Sequence, residues 1–308
     1  MLLRYLFCGG AVPELPEVET VRRGLNRLTL NQKIQGGEVL LDRTIAHPIF
    51  VSEFLFGLAE TAIAQWHRRG KYLIAELVQD AVAEQSSLFP VPCSLSTTPA
   101  GYLGVHLRMT GQLLWVDAAE PVQKHTRVRL FFQGDRELRF VDQRTFGQLW
   151  WVPPNYHPEQ IITGLQALGP EPFSAGFSVD YFYQQFHSRQ RPIKNALLDQ
   201  RIVAGLGNIY ADEALFLSGI HPQTLCSTLT HNQVKLLHST TLKVLQDSID
   251  ANGTTFSSFR SVEGINGNYG GKAWVYGRDG KRCRICETVI ERLKMAGRSA
   301  HFCPQCQN

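Results

Sequence analysis

Two closely spaced cysteine pairs near the C-terminus place the strongest constraint on what this 308-residue chain can fold into. Cys283 and Cys286 form one C-x2-C pair, Cys303 and Cys306 form the other, and 16 residues separate the pairs. Two short turns that each present two thiolates suit the tetrahedral geometry of zinc. Two disulfides or free thiols fit the same positions, but the ligand spacing favours zinc, and nothing else in the sequence suggests secretion. We therefore predict one structural zinc in a ribbon at residues 273–308, because four cysteines leave no coordination position open for water.

The remaining sequence has an ordinary soluble composition, with 44% hydrophobic and 19% charged residues. Its length predicts about two domains, and its apolar runs fall short of the roughly 18–20 residues that a membrane helix requires. We therefore expect a cytoplasmic protein with no membrane partner. The charge is uneven, since residues 1–180 hold 16 Lys/Arg and 18 Asp/Glu whereas residues 181–308 hold 15 and 9. A basic C-terminal half fits a polyanionic partner and fits a solvated basic surface equally well.

Hydrophobic periodicity divides the chain into a β-rich part and a helical part. Apolar residues recur at helical spacing over residues 16–28, which predicts a helix beginning at Pro16. Residues 79–100 are rich in Pro, Ser and Thr and are predicted to form an inserted surface loop. Short strand-like runs indicate a sandwich or barrel, at 36–41, 63–67, 72–77, 102–107, 112–116, 127–132, 137–141 and 148–152. Helices are predicted after about Gly169, at 178–188, 192–200, 208–218, 230–248 and 254–259.

The predicted fold class is therefore α+β with several domains. A helix and a β-sandwich occupy residues 13–153, and residues 154–172 form a linker. A helical domain at residues 173–272 and the zinc ribbon at 273–308 follow. Within the helical domain, residues 261–272 contain four glycines and are predicted to form a flexible loop.

Several motifs, met in one order from Pro13 to Gln307, carry a resemblance to a known family. They are PELPEVETVRRGL, RRGKYL, HLRMTGQL, DQRTFG at 142–147, LLDQRIVAGLGNIYADEALF, GIHP and the cysteine ribbon. The set resembles the formamidopyrimidine-DNA glycosylases, bacterial enzymes that excise oxidised purines from duplex DNA and cleave the resulting abasic site. The resemblance implies a monomer associated with the nucleoid and a helix–two-turns–helix at residues 192–219. It also implies that the loop at 261–272 closes over the damaged base.

The resemblance assigns the nucleophile to the secondary amine of Pro13 at a free N-terminus. An α-amine has a pKa near about 8, whereas a lysine amine has a pKa near about 10.4. A larger fraction of the N-terminal amine is therefore unprotonated and nucleophilic at neutral pH. Glu14 is implied to act on the deoxyribose ring oxygen and to relay protons, and Glu17 to order the site. Taken without the resemblance, these carboxylates would be assigned to capping of the helix.

The resemblance also assigns side chains to DNA. Lys71 and Arg298 are implied to grip phosphate at the damaged nucleotide, where single basic residues would otherwise indicate a solvated surface. A flipped-out base leaves a hole in the duplex, and Met109, Arg144 and Phe146 are implied to fill that hole and hold the opposite cytosine. Further DNA contacts are implied for His106, Lys194, Asn208, Tyr276 and Arg292. Outside the resemblance, His106 would be structural and Asn208 a helix cap.

The start of the chain conflicts with this chemistry. Pro13 within a longer chain is an amide, which is neither basic nor nucleophilic. The family begins Met-Pro-Glu-Leu-Pro-Glu, and Val12 stands where that methionine would be. We therefore expect that a GUG codon at Val12 is the true initiator and that residues 1–12 are not part of the mature protein. The alternatives are a catalytically inactive DNA-binding protein, if residues 1–12 are retained, and the related glycosylase for oxidised pyrimidines.

Overall fold

The computed structural model describes residues 12–80, 97–254, 262 and 267–308. Residues 1–11 therefore lie outside the described residues. So do residues 81–96 of the predicted inserted loop. The same holds for most of the predicted helix at 254–259 and for much of the glycine-rich loop at 261–272. Among the described residues, no helix has both the length and the apolar character needed to cross a membrane.

The first helix begins one residue after Glu14 because that residue closes a capping box. Helix α1 spans Leu15–Leu28, with Pro16 in its first turn. The Glu14 backbone N–H donates to Glu17 Oε2 at 2.9 Å, which satisfies a group that would otherwise be unpaired at the helix start. Val18, Val21 and Leu25 are buried against the sandwich core, so α1 is fixed along its length.

Two sheets form the predicted β-sandwich, which confirms the fold class of this half. One sheet has the order β1-β7-β8-β6 and the other the order β2-β9-β5-β4-β3. Burial alternates strictly along β7 (Thr126–Phe132), as expected of a strand with one face on the core. The other strands are β1 Ile34–Val39, β2 Ile45–His47, β3 Ala62–Arg69, β4 Tyr72–Asp80, β5 Thr97–His106, β6 Gly111–Asp117, β8 Arg136–Asp142 and β9 Gln148–Val152.

The inserted loop is shorter than predicted because the flanking strands extend into it. Asp80 pairs with Thr97 and Gln79 with Thr98, so residues 79–80 belong to β4 and residues 97–100 to β5. The sequence analysis also missed β2 and the helix α2 (Val51–Leu58).

The helical half contains α3 (Pro158–Ile161), α4 (Val179–His187), α5 (Ile193–Leu197), α6 (Asn208–Leu217) and α7 (His231–Asp250). Helix α5 ends three residues earlier than the predicted 192–200, since Leu198 is its C-cap. Apolar side chains of α4–α7 form one buried cluster that also contains Leu15 of α1. Leu15 therefore joins the N-terminal segment directly to the helical domain. The ribbon ends the chain with strands β10 (Glu291–Met295) and β11 (Arg298–Phe302), which are antiparallel.

Candidate active site between the sandwich, the helical domain and the ribbon

A cleft of about 1060 Å³ lies where the three parts of the molecule meet. The sandwich, the helical domain and the ribbon each contribute to its wall. Eight of the thirteen residues predicted for catalysis and DNA contact line it: Glu14, Lys71, His106, Met109, Phe146, Asn208, Tyr276 and Arg298. The structure thus brings together side chains that are 284 positions apart in sequence, from Glu14 to Arg298.

Glu14 is buried at the N-terminus of α6. Its Oε1 accepts a hydrogen bond from the Ile209 backbone N–H at 3.0 Å. Burial raises the pKa of Glu14, and the nearby Lys71 ammonium opposes that rise. A Cβ on Gly207 would lie 2.2 Å from Glu14 Cδ, so only glycine lets the carboxylate reach this position. The geometry places a carboxyl group that can hold a proton next to Pro13.

Glu17 is also held by the helical domain. Its Oε1 accepts hydrogen bonds from the Tyr210 hydroxyl at 2.5 Å and the Thr254 backbone N–H at 2.8 Å. Burial raises the pKa of Glu17 to about 7, with a further rise caused by Glu14. Glu17 therefore supports Glu14 through the capping box and ties α1 to α6.

Lys71 and His106 lie at the ends of paired strands on the sandwich side of the cleft. Burial lowers the pKa of Lys71, which Glu14 counteracts. Burial, helped by Arg108 and Lys71, lowers the pKa of His106 to about 3. The His106 ring is therefore neutral near pH 7. Its Nδ1 accepts from the Arg108 backbone N–H at 3.0 Å, so Nε2 carries the proton and is available as a neutral donor.

Two turns carry the three residues that the resemblance implies fill the space left by a flipped-out base, namely Met109, Arg144 and Phe146. Met109 is half-buried, Phe146 is 52% exposed, and the Arg144 guanidinium lies 5.2 Å from the Phe146 ring centroid. Asp142 connects the turns, since its Oδ2 accepts from the Gly147 N–H at 2.7 Å and its Oδ1 accepts from Thr110 Oγ1. Sequence reasoning did not assign Asp142 a role, although an acidic residue at the end of a strand before two turn residues was a usable signal.

Asn208 and Tyr276 form the wall on the helical side. Asn208 is the first residue of α6, and its side chain hydrogen-bonds Tyr276. Burial raises the pKa of Tyr276 to about 12, so its hydroxyl stays protonated. Glu213, which the sequence analysis also missed, accepts backbone N–H groups of Trp274, Val275 and Tyr276 at 2.7–2.9 Å. Two adjacent acidic residues, Asp212 and Glu213, in a largely apolar helical segment were the signal.

The predicted basic contacts fall into three environments. Arg298 is exposed in the cleft at the start of β11. Arg292 is exposed on β10, 4.0 Å from Asp279, and is not among the residues lining the cleft. Lys194 is fully buried, pairs with Asp212 at 2.6 Å and is not among the residues lining the cleft. The DNA contact that the resemblance implies for Lys194 stays a prediction.

A carboxylate in the linker fixes the turn before Lys71. Glu171 accepts from the Arg68 guanidinium and from the Gly70 backbone N–H, both at 2.6 Å. Arg69 donates to the backbone carbonyls of Leu168 and Gly169. Glu171 follows the sandwich in the chain and hydrogen-bonds the turn between β3 and β4. It therefore fixes the position of the backbone just before Lys71.

The four cysteine sulfurs lie within 4.8 Å of one another. Cys286 and Cys303 Sγ are 3.4 Å apart, and Cys283 and Cys306 Sγ are 3.9 Å apart. Zinc–sulfur bonds of about 2.3 Å in a tetrahedron separate the sulfurs by about 3.8 Å, whereas a disulfide needs about 2 Å. The residues therefore fit one structural zinc, as predicted, and exclude the two-disulfide alternative.

Comparisons with known proteins agree with this architecture. The N-terminal domain of formamidopyrimidine-DNA glycosylase matches residues 12–149, its helix–two-turns–helix domain matches 168–260, and a zinc finger found in this family and in isoleucyl-tRNA synthetases matches 280–308. A formamidopyrimidine-DNA glycosylase of Nostoc sp. is 60% identical over 296 residues, covering 96% of this chain and 100% of the relative.

Solved structures show the same similarity in three dimensions. A Lactococcus lactis enzyme in complex with DNA containing an abasic site has a TM-score of 0.82 at 33% identity, covering 96% of this chain and 99% of that one. A complex with DNA containing carbocyclic 8-oxo-G has a TM-score of 0.81 at 34% identity, covering 96% and 100%. Fold and cleft together define a zinc-ribbon DNA glycosylase. The chain belongs to the formamidopyrimidine-DNA glycosylase family.

Proposed function

We propose that this protein, as a monomer, excises 8-oxoguanine and formamidopyrimidines from duplex DNA and cleaves the abasic strand through a Schiff base on Pro13. The observation that carries the proposal is the position of the Glu14 carboxyl group. It lies next to Pro13, on the N-terminus of α6, in one cleft with Lys71 and Arg298.

In the proposed reaction the Pro13 nitrogen attacks C1′ of the damaged nucleotide, and the base departs with the electron pair of the glycosidic bond. The proton lost from the proline nitrogen neutralises the departing base, which leaves the nitrogen lone pair free to form the iminium bond. Glu14, whose pKa is raised by burial, delivers a proton to the ring oxygen as the C1′–O4′ bond opens to an iminium ion. Loss of a proton from C2′ then expels the 3′ phosphate, and a second elimination expels the 5′ phosphate. Hydrolysis of the iminium frees the proline amine.

The chemistry requires a proline nitrogen that carries a lone pair. Where Val12 is bonded to Pro13, that nitrogen is an amide and Val12 itself lines the cleft. The active form in this proposal is therefore the chain whose first residue is Pro13.

The cleft is suited to an extrahelical nucleotide. Lys71 and Arg298 supply positive charge for the flanking phosphates, and neutral His106 and Asn208 supply donors. Phe146 is large, apolar and exposed, which suits a wedge in the base stack. Flipping costs a few kcal/mol, so groups that fill the hole stabilise the open duplex.

The experiment is an excision assay on matched duplexes containing either 8-oxoguanine opposite cytosine or dihydrothymine opposite adenine. The proposal predicts faster release of 8-oxoguanine. Faster release of dihydrothymine would instead support the oxidised-pyrimidine enzyme, and binding without release of either base would support a catalytically inactive DNA-binding protein.

A further inference from the structure

Three buried polar side chains meet behind the cleft, where the helical domain contacts the ribbon. They are Lys194 on α5, Asp212 on α6 and His301 on β11, and each is at most 5% exposed. Lys194 Nζ lies 2.6 Å from Asp212 Oδ1. Asp212 Oδ2 accepts from the His301 backbone N–H at 2.9 Å and lies 3.1 Å from His301 Nδ1. A carboxylate can only accept, so Nδ1 of this imidazole carries a proton.

The cluster holds the strand that carries Arg298. Lys194 Nζ also donates to the carbonyl oxygen of Ser299, the residue that follows Arg298. The helical domain therefore holds β11 at both Ser299 and His301, while Arg298 itself extends into the cleft. The turn before it contains Ala296 and Gly297, both with positive φ, so the direction of the Arg298 backbone depends on what holds the strand after it.

A buried ion pair contributes little net stability, since desolvation offsets attraction, but it does fix geometry. Burial lowers the pKa of Lys194, Asp212 counteracts this, and Glu14 and Arg298 both lie close enough to affect it. Both the Glu14 carboxyl group and the Arg298 guanidinium of the cleft therefore lie within electrostatic range of the pair.

We propose that Asp212 and Lys194 are positioning residues that hold the Arg298 guanidinium at the phosphate beside the damaged nucleotide. The proposal rests on the DNA-binding role proposed above for Arg298. It differs from the predicted role of Lys194, because the ammonium acts through the ribbon backbone and not on DNA.

A double-mutant cycle tests this, using the zinc-loaded chain whose first residue is Pro13 and a duplex with a tetrahydrofuran abasic-site analogue. Asp212→Asn and Arg298→Ala should each weaken binding by about tenfold, the loss expected for one charged hydrogen bond. Each should also lower the slope of log affinity against log salt by about 0.9, because one phosphate is no longer neutralised. In the Arg298→Ala background, Asp212→Asn should change affinity by less than about twofold.

Additive losses, or an unchanged salt slope in Asp212→Asn, would overturn the proposal, since a merely structural carboxylate would weaken binding without removing a phosphate contact. Asp247→Asn is the control, because it breaks an exposed ion pair with Lys243 in the same domain. Its affinity and slope should equal those of the wild type.

Zinc content and circular dichroism check that the variants fold. If Asp212→Asn does not fold, Lys194→Met/Asp212→Asn removes both buried charges together and goes through the same cycle with the same expected result. Wild-type cleavage of an abasic duplex is measured alongside. A wild type that neither binds nor cleaves contradicts the proposed function, whereas an active wild type with additive losses contradicts only this inference.

Discussion

Glu14 and Glu17 lie three residues apart on one turn, and different groups of the helical domain hold them. Backbone N–H groups at the start of α6 hold Glu14, whereas the Tyr210 hydroxyl and Thr254 hold Glu17. Both carboxyl groups are buried, and burial raises the pKa of each. The result is a pair of buried acids with raised pKa values beside the proposed nucleophile.

Gly207→Ala should abolish most of the excision activity. The new Cβ would lie 2.2 Å from Glu14 Cδ and push the carboxyl group away from Pro13. A displacement of about 1 Å at a reacting group costs on the order of 100-fold in rate, which single-turnover release of 8-oxoguanine would measure. Gly176→Ala is the matched control, because its nearest contact is 3.4 Å. A normal rate for Gly207→Ala would show that Glu14 has no fixed position in the reaction.

Glu17 should make the free energy of unfolding depend on pH. Its pKa is about 7 in the folded chain, above the ordinary value of 4.5, so the folded state binds the extra proton between those values. Stability from this group is therefore highest below pH 4.5 and falls as pH rises to 7, by at most about 3 kcal/mol. Denaturant unfolding of the wild type and of Glu17→Gln measures this effect. As pH rises from 4.5 to 7, the free energy of unfolding of Glu17→Gln should increase relative to that of the wild type. A constant difference between them would contradict the assigned cause.

Helix α6 is the element that connects the chemistry to the ribbon. Its N-terminus holds Glu14, and Glu213 and Asp212 further along bind the ribbon backbone at residues 274–276 and at His301. A shift of this helix would therefore move the acid and the proposed phosphate-binding surface together.

Most helices and strands could be predicted from the sequence, because the spacing of apolar residues indicates which face of a helix or strand is buried. The eight predicted strands and the long helices confirm this. The three-residue β2 and the eight-residue α2 are too short to establish a period. The buried role of Lys194 was not predictable either, since its partners Asp212 and Ser299 lie 18 and 105 positions away and meet only in the folded chain.

Loss of zinc should unfold the ribbon and leave the sandwich intact. Four thiolates hold two short turns together, and the small apolar cluster around Cys283 and Cys303 has few other members. Cys303→Ser or chelation should therefore abolish duplex binding, which fluorescence anisotropy would measure, while hydrogen exchange in β3–β9 stays slow. Full affinity in a chain shown to be free of zinc would contradict this prediction.

In the whole molecule, the hairpin β4–β5 runs away from the cleft. Tyr72 pairs with His106 at the cleft end, and Asp80 pairs with Thr97 at the other end. At about 3.3 Å per residue, these ends are about 25 Å apart. The inserted segment therefore joins the sandwich on the side opposite to the reaction.

Replacing residues 81–96 with a two-residue Asn-Gly turn should leave the rate of abasic-site cleavage within about threefold of the wild type, because the hairpin can close between Asp80 and Thr97. A gel assay of strand cleavage checks this, with circular dichroism as the control for folding. A much larger loss of rate would show that the segment belongs to the DNA interface.

The central claim is that the free amine of Pro13 bonds to the sugar, and borohydride trapping on a duplex with an abasic site tests it most directly. Two chains are compared, one whose first residue is Pro13 and one in which Val12 remains bonded to it. The account predicts a covalent protein–DNA adduct for the first chain only, with the DNA mapped to Pro13 by mass spectrometry. An adduct of equal yield in the chain that retains Val12, or an adduct mapped to Lys71, would contradict it.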